Sequence, residues 1–338
     1  MTGDPGASVD PTRRLTPVVR HAPAKLNLTL AVLARRDDGY HSLHSVFAPL
    51  ALGDRLSLAI ATGDRDTLHV TGFDPGDPAD NLVLRAIAAT RAAVGGGWPG
   101  GPAPAPALAA RLDKRIPVAA GLGGGSSDAA AAIDGALEAW GADLAPDDWF
   151  RVAAEVGSDV PFFGVGGVAL VEGRGETVAR LDGLHGHPGV LLVTAAVAVS
   201  TRDVFSAFDA IRTHGDGAVR LTSMHLAEEL RAKLSTADLV ARAGAMTVAN
   251  DLLPATALVV PALVPFRRAI SRLIARPVGL SGSGPTLWAL YASEAEAAEA
   301  AATVRAAIGD GRIGAPGSDP PFVAATSIQT GHQHGSEP

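Results

Sequence analysis

Pro117-Val-Ala-Ala-Gly-Leu-Gly-Gly-Gly-Ser-Ser-Asp128 carries four glycines within positions 121–125. Each glycine costs backbone entropy on folding, so the run is expected where the chain turns tightly and offers its N–H groups to something bulky and anionic, not where it packs. On the N-terminal side Leu108, Ala110 and Leu112 alternate with Ala109, Arg111 and Asp113, the period of a half-buried strand. On the C-terminal side Ile133, Leu137 and Trp140 recur at helical spacing, and Gly141 ends the stripe. Strand, glycine loop and helix N-terminus together hold phosphate, because loop amides and helix dipole both favour negative charge. Ser126, Ser127 and Asp128 fall where helix caps belong, and the serines are within reach of a nucleotide phosphate or its magnesium. A plain flexible loop is the competing reading; the flanking strand and helix favour phosphate. No Gly-Lys-Ser/Thr closes the loop and the spacing departs from the dinucleotide fingerprint, so two familiar phosphate loops are excluded. The other glycine run, Gly95-Gly-Gly-Trp-Pro-Gly-Gly101, lacks such flanks and predicts only a surface loop.

The chain has 338 residues, more than one core usually serves, which predicts two domains. Hydrophobic residues make up 47%, yet aromatics only 4%, so alanine, valine and leucine must carry the core. Lys25, Lys114 and Lys233 are the only lysines among 28 basic residues, which makes the place of each one informative. A net charge of −7 argues against a protein that coats nucleic acid. With no cysteine, disulfides, thiolate catalysis and cysteine-held metals are excluded. No apolar run approaches membrane-spanning length, and residues 1–20 lack a signal-peptide core. A soluble cytoplasmic protein with no membrane or nucleic-acid partner is expected.

Residues 1–17 are rich in Gly, Pro, Asp and Thr and are expected to be disordered. Lys25 to Leu33 alternates through Leu26, Leu28 and Leu30, predicting a strand with Lys25, Asn27 and Thr29 on its other face. A turn at Asp38-Gly-Tyr-His41 is followed by two predicted strands, Val46–Leu52 and Asp54–Ile60. Asp64–Asp80 is turn-rich, Asn81–Val94 has helical spacing, and Pro146 opens a helix that Gly157 closes. Further on, Val190–Val199 predicts a buried strand, Thr201–Ile211 a helix, Phe266–Ile274 an amphipathic helix and Thr286–Tyr291 a strand. Ser293 and Glu296 predict a capping box opening a helix that stops near Gly309. Strands and helices mix without regular alternation, which favours α+β. The expected division is an extension at 1–17, units at 18–182 and 183–330, and a disordered tail at 331–338.

Three separated stretches, Pro23-Ala-Lys-Leu-Asn-Leu28, Pro117–Ser127 and Gly279-Leu-Ser-Gly-Ser-Gly-Pro285, resemble the three signature motifs of the GHMP kinases. Asp38-Gly-Tyr-His41, Asp80-Asn-Leu82, Asp113-Lys-Arg-Ile-Pro117 and Gly157-Ser-Asp-Val-Pro161 narrow the resemblance within that superfamily and extend it over roughly residues 20–325. It implies a GHMP kinase fold, with an N-terminal ATP-binding domain like domain 2 of ribosomal protein S5 and a ferredoxin-like C-terminal half. It implies transfer of the ATP γ-phosphate to the C2 hydroxyl of a cytidyl-diphospho-methylerythritol, on the non-mevalonate route to isoprenoids. ATP and Mg2+ are the implied cofactors, and a monomer or homodimer the implied state. The alternatives are another GHMP kinase, of homoserine or mevalonate type, and a non-catalytic nucleotide- or RNA-binding protein on the same scaffold.

By that resemblance Asp159 and Lys25 are the catalytic pair; a turn aspartate and a solvated edge-strand lysine are the plainer readings. Pro117, Val118, Ala119, Ala120, Gly121, Leu122, Gly123, Gly124, Gly125, Ser126 and Ser127 would hold ATP, with Asn81 and Lys114 on its adenosine side. Lys114 fits a solvated strand end equally well. Asn27, Tyr40, His41, Thr201 and Phe205 would hold the substrate, Tyr40, His41 and Phe205 at its cytidine. Phe205 alternatively packs as core beside Phe208, and Asp38–His41 alternatively forms a plain hairpin turn. Ser281–Gly284 either closes over the diphosphate or is a tight turn. No protein ligand for magnesium is identified beyond Ser127 as an option, and the histidines show no metal spacing.

Overall fold

The structure is a computed structural model that describes residues 16–77, 80–95, 98–99, 104–211 and 217–331. The expectations for residues 1–15, 96–97, 100–103 and 332–338 lie outside that set. In chain order the elements are β1 (Val18–Asn27), β2 (Ala31–Arg35), β3 (His41–Ile60), β4 (Thr67–Gly72), α1 (Leu82–Val94), β5 (Leu108–Lys114), α2 (Gly124–Trp140), α3 (Pro146–Val156), α4 (Val160–Val165), β6 (Ala169–Gly173) and β7 (Thr177–Arg180). There follow β8 (Leu184–His185), β9 (Gly189–Thr194), α5 (Thr201–Ile211), α6 (Ala218–Ala232), β10 (Leu234–Ser235), α7 (Thr236–Ala241), α8 (Ala243–Met246), α9 (Leu253–Val259), α10 (Leu263–Ile274), β11 (Gly279–Leu280), β12 (Thr286–Tyr291), α11 (Glu294–Gly309) and β13 (Phe322–Ser327). The fold is α+β.

The larger sheet is organised by β3, which runs without interruption through 20 residues and pairs with β1, β2, β5 and β6. The two strands expected at Val46–Leu52 and Asp54–Ile60 are therefore one. Gly53, between the two expected strands, lies within β3, and a Cβ there would run into His21 and the Ala22 carbonyl. The single strand expected from Lys25 to Leu33 is instead two, because the chain leaves the sheet between Asn27 and Ala31. In the turn-rich stretch, β4 pairs parallel to β5 at the sheet edge. A smaller antiparallel sheet has the order β11-β12-β9-β13.

One core lies where α1, α2 and α3 cover the larger sheet, built on Leu56, Leu58, Ile87, Leu112 and the run Ala129–Ile133. Those alanines explain the few aromatics: a helix of small residues lies close to its sheet, so close that a Cβ on Gly135 would enter Leu58. A second core joins Leu26, Val46, Leu50 and Leu122 to Val190, Leu192, Leu230 and Trp288 of the second half. The glycine loop thus sits at the junction of both halves, held by apolar burial from each. No helix among the described residues is long and apolar enough to cross a membrane.

Candidate active site

The loop between β5 and α2 ends in Gly123, which adopts φ 69° and stands as the N-cap of α2 with no side-chain cap. Ser126 and Ser127 consequently lie in the first helical turn, not at the cap expected for them, because a left-handed glycine already ends the turn one residue before Gly124. The first amides of this 17-residue helix have no partner within it and point to the loop mouth, where Gly125 is exposed.

The expectation that the glycines serve only an anion needs correction, since protein contacts require three of them. A Cβ on Gly121 would strike the Ser281 carbonyl, where two glycine loops meet. A Cβ on Gly124 would lie 3.1 Å from Ile116 Cγ2 and from Lys114 Nζ. At Gly123 it would lie 2.8 Å from Lys25 Cγ and 3.2 Å from Cε. A positive φ alone costs a side-chain-bearing residue about 1–2 kcal/mol, and Ala119 carries φ 52° in the same loop. Strain is therefore tolerated there, and contact with Lys25 decides for glycine at 123.

Lys25 follows an irregularity in the β1–β3 register, and its backbone N–H donates to the Leu122 carbonyl at 2.8 Å. Its ammonium is buried over the Phe47 ring, 4.5 Å from the centroid, and donates to Asn27 Oδ1 at 2.7 Å. Asp159 Oδ2 lies 3.5 Å from that ammonium. Asp159 is the N-cap of α4, yet its side chain makes no capping bond, so the carboxylate is not spent on its own helix. Asn27 is fixed by Ser45, whose Oγ accepts from Nδ2 at 3.1 Å, and by Ser281, whose Oγ accepts from the Asn27 N–H at 3.3 Å and donates to the Gly121 carbonyl at 2.9 Å. Lys25 is thus a buried lysine facing a half-exposed carboxylate, not a solvated edge residue.

Lys114 is likewise no solvated strand end, nor does it offer its ammonium to the loop surface. It is buried beneath the loop, donating to Asp54 and, at 2.7 Å, to Asp128. One ammonium cannot neutralise two carboxylates. Lys114 is accordingly held charged, its pKa raised because Asp128 and Asp54 outweigh burial. Burial, opposed by Lys114, pushes Asp128 up to about 8. Asn81 caps α1 by accepting from the Val83 N–H at 2.9 Å, and the next residue, Leu82, borders Gly125.

At the other end His41 stacks on Phe205 with ring centroids 5.3 Å apart, and its Nε2 lies 2.8 Å from Asp209 Oδ1. Phe208, the buried one of the two phenylalanines, meets His41 edge-on, so α5 fills its core with Phe208 and leaves Phe205 half-buried. Tyr40 is 57% exposed with the Arg174 guanidinium 4.7 Å from its ring centroid. Thr201, at the start of α5, bonds Ser283 of the second glycine turn at 3.1 Å. The structure therefore gathers two groups, Lys25–Asn27–Asp159 at the first loop and His41–Phe205–Asp209 beyond it, while Tyr40, next to His41 in the chain, packs against Arg174. The second glycine turn joins them through Ser281 and Ser283. Asp209, Arg174 and Ser45 escaped sequence reasoning; Asp209 had a signal, standing one helical turn after Phe205 on the same face.

A glycine-rich helix start beside a buried lysine and an aspartate that caps nothing is an arrangement suited to a small-molecule kinase of the GHMP class. The family model for the GHMP kinases N terminal domain matches residues 81–167, and that for the GHMP kinases C terminal matches 227–310. The chain is 37% identical to the 4-diphosphocytidyl-2-C-methyl-D-erythritol kinase of Pelotomaculum thermopropionicum, over 84% of this chain and 92% of that one. With the protein of the same name from Deinococcus radiodurans the identity is 38%, over 87% and 91%. A solved 4-(cytidine 5'-diphospho)-2C-methyl-D-erythritol kinase is 29% identical with a TM-score of 0.64, covering 92% of this chain and 99% of that one. The mevalonate kinase of Methanococcus jannaschii shares the fold at 13% identity and TM-score 0.67, over 94% and 99%. The chain belongs to the 4-diphosphocytidyl-2-C-methyl-D-erythritol kinase family of the GHMP kinases. It is an ATP-dependent small-molecule kinase.

Proposed function

We propose that the chain transfers the γ-phosphate of ATP to the C2 hydroxyl of 4-diphosphocytidyl-2-C-methyl-D-erythritol, on the non-mevalonate route to isopentenyl diphosphate. The observation that carries this is the meeting of Lys25 and Asp159 beside Gly123, in a chain whose relatives bear that enzyme's name. The ATP phosphates lie against Gly121–Ser127 and the start of α2, where amides and dipole stabilise them. Asp159 accepts the proton of the C2 hydroxyl as that oxygen attacks the γ-phosphorus; the bond from phosphorus to the bridging oxygen breaks and ADP leaves. Lys25, buried and aimed by Asn27, stabilises the charge on the phosphoryl group in transit. Tyr40, His41 and Phe205 hold the cytosine, and Thr201 and the second glycine turn hold the diphosphate between.

Lys114 acts from beneath, fixing the loop through Asp128, and Asn81 sets the start of α1 beside it. Magnesium is expected to arrive on ATP, since no three His, Asp or Glu among the described residues gather as a metal site. Ser127 Oγ is a buried atom without a partner at the loop, which makes Ser127 the side chain suited to reach it. The ion would neutralise phosphate charge. The test is ADP release with the cytidyl substrate, mevalonate and homoserine in parallel. Turnover of the cytidyl substrate alone is expected; equal turnover of mevalonate or homoserine would overturn the assignment.

A further inference from the structure

Behind the second glycine turn lies a cavity of about 420 Å3, within the range of about 300–1,000 Å3 usual for small-molecule sites. Leu253 and Ala257 of α9 and Leu263 and Val264 of α10 wall it, and Leu280 closes its floor. Its charged wall is Arg267 and Arg268, and no Asp or Glu lines it. Arg267 is half-buried, its Nε donating to the Val278 carbonyl at 2.6 Å and its Nη2 to the Thr247 carbonyl at 3.0 Å. Those carbonyls fix the guanidinium without neutralising it, and it makes no ion pair among the described residues. Burial first, and the adjacent Arg268 second, hold its pKa below the ordinary guanidinium value. A cation withdrawn from water is ordinarily paired; here a half-buried Arg267 and an exposed Arg268 border the cavity and no carboxylate lines it.

Such a wall complements a molecule with both an apolar tail and an anionic head, because a guanidinium fork matches phosphate and carboxylate oxygens. We propose that this cavity binds a small amphiphile with a phosphate or carboxylate head, at a site separate from the reacting groups and beyond the kinase reading above. Its occupant rests against the rear of the second glycine turn. Thr256, in the cavity wall, donates to the Ser283 carbonyl at 3.1 Å. Asn250 donates to the Leu280 carbonyl at 3.0 Å, and Leu280 itself lines the cavity.

The test is calorimetric titration of the full chain with octyl phosphate, with saturating ADP present to occupy the phosphate loop and no turnover measured. Saturable binding of one molecule per chain is expected, with 1-octanol and inorganic phosphate each weaker by about tenfold or more, the worth of one charge-assisted contact. Ala257→Trp, which fills the cavity, should abolish binding. Arg268→Glu should weaken it by about tenfold or more; Arg268 is exposed and its side chain holds no bond among the described residues, so this variant keeps the test decisive if the tryptophan variant misfolds. Absence of saturable binding, full binding by a folded Ala257→Trp or by Arg268→Glu, or octanol binding as tightly as octyl phosphate would each overturn the proposal.

Discussion

Around Lys25 a chain of protein hydrogen bonds runs inward: the ammonium is held by Asn27, Asn27 by Ser45, and the loop by Ser281 from the far end of the chain. Around Tyr40 burial is uneven: Tyr40 stands toward solvent with Arg174 over its ring, whereas His41 is buried against a half-buried Phe205. The first end is preorganised, so binding there costs little ordering, and its groups are aimed before substrate arrives. The second offers ring surface, exposed at Tyr40 and half-exposed at Phe205, and supplies contact area. Chemistry is assigned to the rigid end and selection to the open one, and substitutions at each should differ in kind.

The sharpest break would come from Asp159→Asn. Its carboxylate caps nothing, so the variant should fold as the parent does. kcat should fall about 10²–10⁴-fold, the worth of a positioned base, with much less change in KM because the loss is felt chiefly in the transition state. Near-normal turnover by a folded variant would show that the rigid end is architecture alone. Gly123→Val comes next. Its branched side chain would push Lys25 aside, and a misplacement of about 1 Å costs about 100-fold. kcat should drop along with affinity for ADP; a loss in ADP affinity alone would show that the loop serves phosphate and not the lysine.

At the open end, Phe205→Ala should raise KM for the cytidyl substrate by about 5- to 150-fold, from a stacking contribution of about 1–3 kcal/mol, and leave kcat nearly intact. A matching fall in kcat would erase the distinction between the ends. The smallest effect concerns the support under the loop. Burial pushes Asp128 up to about 8 in the folded chain, against about 3.9 for an unfolded aspartate. The unfolded state therefore binds fewer protons between those values, and the stability present below pH 4 is lost as pH rises toward 8. Asp128→Asn, which cannot ionise, should flatten the fall in melting temperature over that interval. An unchanged pH profile would mean that the acid is already ionised beneath the loop.

The strand, glycine loop and helix were legible because their signal is local: a strand period, glycines and a helix period follow one another within residues 108–140. The same held for α1, α3, α10 and the end of α2 at Gly141, each marked by its own punctuation. What depended on distant partners was not legible. Asp54 looked like the start of a second strand, yet it is buried mid-strand because Lys114 reaches it from the end of β5. β4 carries too few apolar residues to stand out and becomes a strand only by pairing with β5. The glycines at 121 and 124 looked like an invitation to an anion, but space for them is denied by Ser281 and Lys114. Lys25, Asp159, His41 and Phe205 were assigned by resemblance alone. No periodicity announces that residues so far apart will meet.

The uninterrupted strand β3 also fixes a length. His41 stands at its start, and six residues on Phe47 lies opposite Asn27 and under the Lys25 ammonium. At about 3.3 Å per residue the two ends of the site are separated by roughly 20 Å along the strand. Because β3 is bonded along both edges, neither end can move toward the other without tearing the sheet. The strand is a gauge: a molecule that grips only one end leaves its reactive atom short of the other, whatever its affinity.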